Sequence, residues 1–223
     1  MYLKGAIILD LTKLLPILAE GFLVSVKIFG LTLLFSIPLG FVVSALKMCK
    51  IPPIRWIINA YILIMRGTPL ILQIMFIYFA PTMLFKADAP PDRFWAVIVA
   101  FSINYAAYFA EIFRGGIQAV PKGQFEAAQI LGFSKMQTFF KITLPQVIKT
   151  VLPSIGNEVI TLVKDTSLAQ VIAVSELFAL AKKQASTQFS VMPLFVAGVF
   201  YFVFNWLVTV LFDLGEKKLN YYK

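Results

Sequence analysis

Four stretches of this 223-residue chain run without a single charged side chain: 28–46, 67–85, 94–110 and 184–212. A bilayer core about 30 Å thick is crossed by about 20 helical residues rising about 1.5 Å each. The uncharged stretches are 19, 19, 17 and 29 residues long, so each is near or beyond one crossing. The rest of the composition agrees. Hydrophobic residues make up 60% and charged residues 14%, whereas a soluble domain has about a quarter charged. A disordered chain would be less apolar still. Much of this surface is therefore solvated by lipid.

The first span begins at Gly21 and contains Pro38 and Gly40, which loosen a helix but are tolerated in membranes. The second starts near Ile54 and passes Arg66; the third is Phe94 to Ala110, and the last lies between Lys183 and Asp213. A further candidate, Val147 to Ala173, is apolar but carries Glu158, Lys164 and Asp165. A bare charge at mid-membrane costs about 2.5 kcal/mol or more, so these side chains must face protein, water or the interface. Five spans result, and the chain is all-α.

The formal charge is +9. Its basic residues mostly end apolar runs, which points to membrane orientation rather than to nucleic acid. With the N-terminus outside, eleven basic residues fall in cytoplasmic segments and six outside, which places the C-terminus in the cytoplasm. Histidine is absent and Cys49 is the one cysteine. Histidine-based metal sites, histidine-dependent triads and an internal disulfide are thereby excluded. Residues 1–20, with Lys4, Asp10, Lys13 and Glu20, read as an amphipathic surface segment rather than a removable signal, and Pro16 is expected to bend or end it. Residues 80–93 read as a turn-rich outer loop, and Ser175 to Ala185 as a helix resting on the outer surface.

The 32 residues 115–146 are polar and not loop-like. Pro121 can open a helix, Gln124 to Leu131 favours one, and Gly132 interrupts it. Ser134 can cap a second helix from Lys135 that Pro145 limits. Two short helices joined at Gly132 form a cytoplasmic knob. It serves either as an elbow between spans or as a docking element, with Ala127, Ala128 and Gly132 allowing close approach.

Glu126-Ala127-Ala128, then Gly132, then Ile142-x-Leu144-Pro145 resembles the EAA-loop signature of permease subunits of binding-protein-dependent ABC importers. Arg66-Gly67-Thr68-Pro69-Leu70, Glu111-x-x-Arg114-Gly115-Gly116-Ile117-Gln118, Val120-Pro121-Lys122-Gly123-Gln124 and Lys164-Asp165-Thr166-Ser167-Leu168 resemble its polar amino-acid branch. The resemblance covers about residues 20–215 and implies a MetI-like transmembrane fold. The domain order is then the N-terminal segment 1–20, a permease domain 21–215 containing the coupling loop 115–146, and a cytoplasmic tail 216–223. It also implies partners: a second permease subunit, the same chain or a paralogue; two cytoplasmic ATP-binding subunits; and an extracytoplasmic amino-acid-binding protein. Gly123, Glu126, Ala127, Ala128 and Gly132 would contact the ATPase. The chain has no Gly-x-x-x-x-Gly-Lys-[Ser/Thr] loop, so ATP and Mg would be bound by those partners and this chain would hold no cofactor and catalyse no reaction.

Polar residues inside the spans supply candidates for the path. Asn104, Tyr108 and Glu111 lie on one helical stripe, either as interhelical hydrogen bonds or as a polar wall. Asn157, Thr161 and Asp165 form a second stripe with Glu158 on its flank. An amino acid offers an ammonium and a carboxylate, and Glu158 would favour a cationic side chain. Arg66 beside Pro69 reads either as a clamp on carbonyls freed at a helix disruption or as a contact for a substrate carboxylate. Glu111 is expected to pair with Arg114 or with a neighbouring subunit, Asp165 can be capped locally by Thr166 or Ser167, and Lys164 completes the set of structural candidates. The expected function is a permease subunit that passes a polar amino acid across the cytoplasmic membrane. A secondary transporter or channel is the alternative.

Overall fold

Asp92 starts the helix around which the others pack. Its carboxylate accepts the Trp95 N–H at 3.0 Å, satisfying a donor that the first turn leaves free. In this computed structural model, which describes residues 2–219 and side chains from Leu11 onward, that helix is α4 (Arg93–Ala119). It is preceded by α1 (Tyr2–Lys47), α2 (Pro52–Gly67) and α3 (Leu70–Met83). It is followed by α5 (Lys122–Ile130), α6 (Lys135–Thr138), α7 (Leu144–Asp165), α8 (Leu177–Gln188) and α9 (Met192–Leu219). A π-helical stretch (Phe139–Thr143) joins α6 to α7, and a 3-10 stretch (Thr166–Ile172) follows α7.

Helix α4 is buried on several sides, with Val97, Phe101, Tyr105 and Phe109 at most 2% exposed. Helix α1 makes the most extensive packing with it, and a run of small buried residues, Thr32, Ser36, Gly40 and Ser44, repeats every four positions along α1. A Cβ built on Gly40 would sit 2.7 Å from the Phe109 Cβ, so only glycine permits this separation. Small-residue faces are the usual route to tight helix pairs in lipid, where burial of apolar surface gives no advantage.

Three helices are long and apolar enough to cross a membrane: α1, α4 and α9. A fourth crossing results if α2 and α3 count together, although they meet at 111°. Helix α7 has 22 residues, enough to cross, but is interrupted by Lys149, Glu158, Lys164 and Asp165. In its most apolar window α9 has only 11% of its residues buried, leaving an aliphatic and aromatic face for lipid or another subunit.

Pro16, expected to bend or end its helix, does not end it, and Pro145 does not limit the helix before it. Helix α1 runs through Pro16 without interruption. A proline removes one donor, and the turn around it is held by Leu14 and Leu18, packed with Leu177, Ala181 and Ala197. The interfacial placement expected for residues 1–20 falls largely on side chains outside the described residues, as do the last four residues of the 216–223 tail. Pro145 sits inside the first turn of α7. The helix widens just before it, Leu144 N–H bonding back to the Phe139 carbonyl, which absorbs the missing donor without a break. The helix expected over 175–185 is α8, opened by Glu176.

Candidate functional site

The break between α2 and α3 leaves carbonyls without helical partners, and side chains of two other turns take them. Gln73 Nε2 donates to the Met65 carbonyl at 3.0 Å and to Thr68 Oγ1 at 2.8 Å. Asn104 Nδ2 donates to the Met65 carbonyl at 2.9 Å and to Gln73 Oε1 at 3.0 Å. Arg66, one of whose expected roles was this clamp, does not perform it. Its guanidinium lies over the Tyr108 ring, 5.2 Å from the centroid, where the ring quadrupole attracts a cation. Asn104 is 4% exposed and committed to the break. Gln73 was not singled out from the sequence, because an amide in an uncharged stretch carries no periodic signal.

Opposite the break, a cavity of about 310 Å³ gathers Pro69, Asn104, Tyr108, Glu158, Thr161 and Asp165. Asn157 and Lys164 are exposed outside it. Two of the three stripe positions on α7 therefore meet the flank residue Glu158 here, and the third points elsewhere. Asp165 Oδ2 accepts the Tyr105 hydroxyl at 2.8 Å, tying α7 to α4. The local cap expected for Asp165 is absent: Thr166 and Ser167 hydroxyls donate instead to the Val163 and Lys164 carbonyls, both at 2.8 Å. Thr161 Oγ1 donates to the Asn157 carbonyl at 3.0 Å, leaving its lone pairs toward the cavity. Glu158 has no hydrogen-bond or ion-pair partner among the described residues. The charges of Arg66 and Asp165 both act on it, and among the described residues its oxygens remain without a hydrogen-bond donor.

Toward the other end of α4, Glu111 accepts from Lys47 of α1 and from Arg114 Nη2, the latter at 2.7 Å. Arg114 Nη1 also donates to Gln118 Oε1 at 2.6 Å. The pairing with Arg114 was expected; the Lys47 contact, 64 residues away, was not. The two-helix knob forms as expected. Gly132 has φ +76°, a left-handed conformation that disfavours side chains. Ser134 and Gln137 form a reciprocal capping box that opens α6. Glu126, Ala127 and Gly123 are exposed, but Ala128 is 1% exposed and turned inward, so it offers no surface to a partner. The outward apolar residues are Ile130 at 86% and Leu131 at 71%.

Sequence reading missed Glu176, which is wholly buried. Its oxygens accept the Phe178 and Ala179 N–H groups, both at 2.7 Å, and the Tyr201 hydroxyl at 3.1 Å. Ser25 Oγ lies 3.4 Å from the same carboxylate and accepts the Leu177 N–H at 3.2 Å. One residue thus caps α8 and joins it to α1 and α9. Burial pushes its carboxyl above the ordinary value, opposed by the hydrogen bonds it accepts. The signal available was an acid preceding a helical run, the ordinary sign of an N-cap.

The family described as "Binding-protein-dependent transport system inner membrane component" matches residues 36–221. The arginine transport system permease protein ArtQ of Bacillus subtilis (strain 168) is 36% identical over 92% of this chain and 94% of its own length. The L-cystine transport system permease protein TcyB of the same organism is 33% identical, covering 93% and 88%. A crystal structure described as an amino acid ABC transporter with histidines superposes with a TM-score of 0.84 at 34% identity, over 94% of this chain and 97% of that one. An inward-facing MetNI methionine transporter shares the fold, with a TM-score of 0.74 at 15% identity.

Proposed function

Because this chain belongs to the family of inner membrane components of binding-protein-dependent transport systems, we propose that its α2–α3 break, α4 and α7 form one wall of the path for a polar amino acid. The coarser facts frame the proposal: it is a multi-pass permease subunit of an amino-acid ABC importer in the cytoplasmic membrane, and its family is not the ATPase. The fine assignment rests on one observation. Glu158, which makes no hydrogen bond or salt bridge among the described residues, and Asp165 share a cavity with Tyr108 and Thr161, against a helix interrupted at Thr68 and Pro69.

In the proposed cycle a binding protein delivers the amino acid to the outer face between this chain and a second permease subunit. Glu158 and Asp165 receive an ammonium or a cationic side chain, while the interrupted backbone and Thr161 offer polar groups to the rest. Irregular backbone at membrane depth is tolerated where it lines such a cavity. Five crossings, with the N-terminus outside and the C-terminus in the cytoplasm, bring the α5–α6 knob to the cytoplasmic side. There Gly123, Glu126, Ala127, Ile130 and Leu131 meet an ATPase subunit that binds ATP and Mg, while Ala128 packs inward and Gly132 sets the turn between the two helices. Nucleotide-driven motion then passes through α6 and its continuous junction into α7, as a rigid element transmits a displacement.

The test is substrate-stimulated ATP hydrolysis by the copurified complex in lipid. Glu158→Gln should lower stimulation by a cationic amino acid about tenfold, the effect expected of one lost charge contact, with the complex assembled as before. A variant complex that assembles and is stimulated normally would remove Glu158 from the path. An assembly that runs on an ion gradient with no ATPase would favour a secondary transporter.

A further inference from the structure

Two more cavities continue from the first along α4. One of about 460 Å³ is lined by Lys47, Asn59, Arg66, Tyr108 and Glu111. The next, of about 450 Å³, adds Arg55 and Arg114 to Lys47 and Asn59. Tyr108 is the wall common to the first two, and Arg66 lies on its ring. The charge reverses at this pair. Glu158 and Asp165 line the chamber on one side, whereas Lys47, Arg55, Arg66 and Arg114 outnumber Glu111 on the other. Arg66 is also next to the last residue of α2, and Thr68 and Pro69 separate it from α3 across the 111° bend.

Resting on the reading of this groove as the transport path, we propose that the Arg66–Tyr108 stack is its inner barrier, separating an acidic substrate chamber from a basic exit vestibule. The stack fills the neck with a ring and a guanidinium. The guanidinium places a positive charge where a cationic substrate would have to pass, while the chamber carboxylates hold that substrate back. Arg66 is positioned to move because its side chain is exposed and makes no hydrogen bond among the described residues, so a rotamer change withdraws the guanidinium while α2 and α3 keep their places. The bond network of Gln73 and Asn104 fixes the break itself, so the stack can open while the break persists.

The experiment places single cysteines in the assembled complex after Cys49→Ser, and measures their reaction in sealed inverted vesicles without nucleotide. The probe is the impermeant anionic reagent sulfonatoethyl methanethiosulfonate. Asn59→Cys, in the vestibule, should react quickly, and Thr161→Cys, in the chamber, about fivefold more slowly, a ratio within reach of one exposed cation–π contact. Adding Tyr108→Ala should bring Thr161→Cys to the vestibule rate, whereas Tyr108→Phe, which keeps the ring, should leave it slow. Arg66→Gln supplies a second test if Tyr108→Ala does not assemble, and should likewise accelerate the chamber cysteine. Equal rates with the stack intact, or a slow rate unchanged when ring or charge is removed, overturn the barrier while leaving the path in place. Reaction at neither position overturns the path reading, and the barrier with it.

Discussion

Glu158 and Asp165 lie seven residues apart on one helix but have different surroundings, so their neutral replacements should behave differently. Asp165 holds the Tyr105 hydroxyl at 2.8 Å. Asp165→Asn keeps an acceptor for that hydroxyl and should assemble normally, with uptake reduced less than in Glu158→Gln; Tyr105→Phe leaves Asp165 without its donor and should shift apparent affinity more than maximal rate. Transport measured over a range of amino-acid concentrations separates these outcomes, and equal losses in all three would mean that the acids act only as scaffold. Glu176 is a structural case. Glu176→Ala would strand two backbone N–H groups and the Tyr201 hydroxyl, at a cost of about 3 kcal/mol for buried donors left without an acceptor. Thermal unfolding of the purified complex should report that loss. Burial raises the Glu176 carboxyl above its ordinary value in the folded corner. Its contribution is complete below the ordinary carboxyl value and is lost as pH climbs through the raised one. Unfolding temperatures measured as pH rises from the ordinary carboxyl value should therefore show a downward slope that Glu176→Gln flattens; an unchanged slope would assign it to other groups.

At the scale of elements, the α5–α6 knob was the most legible part of the chain. Pro121, Gly132 and Ser134 each impose a local conformation, and local conformation is what a sequence states directly. Gly132 provides the sharpest test. A side chain there meets no atom within 4 Å, so the penalty of Gly132→Val is confined to backbone at φ +76° and amounts to about 1–2 kcal/mol. The variant should insert and pair with its partner permease but lose most uptake, because the two helices can no longer hold their angle. Normal uptake by a well-inserted Gly132→Val chain would mean that the knob angle is irrelevant to coupling. Pro145 was misread, and the ending allowed for at Pro16 did not occur, for the complementary reason: whether a proline ends a helix depends on tertiary packing around Leu14 and Leu18, or on a π-helical widening over Phe139–Thr143. The position of the break at Arg66-Gly67-Thr68-Pro69 was legible, whereas its 111° angle and its satisfaction by Gln73 and Asn104 depend on residues far apart in the chain.

For the whole molecule, charge-free intervals marked out the apolar helices, and the signature residues of the EAA loop identified the family. What remained hidden was the assembly of the site, since Lys47–Glu111 and Tyr105–Asp165 join residues 64 and 60 positions apart. Inward placement of Ala128 was hidden as well, because two adjacent alanines look equivalent until a helix is docked. The exposed face of α9 and the half-open cavities opposite α4 leave this chain incomplete as a conduit, as a single wall would be. Its proposed central role is to convert ATP-driven motion, received at the knob, into movement of an amino acid along the groove. The most direct measurement is accumulation of a radiolabelled cationic amino acid by proteoliposomes containing the copurified complex, with its binding protein added outside and Mg-ATP enclosed. Accumulation that requires ATP and the binding protein, and that falls to background with Gly132→Val, is the expected result. Accumulation of equal size without ATP, driven by an ion gradient, would contradict it.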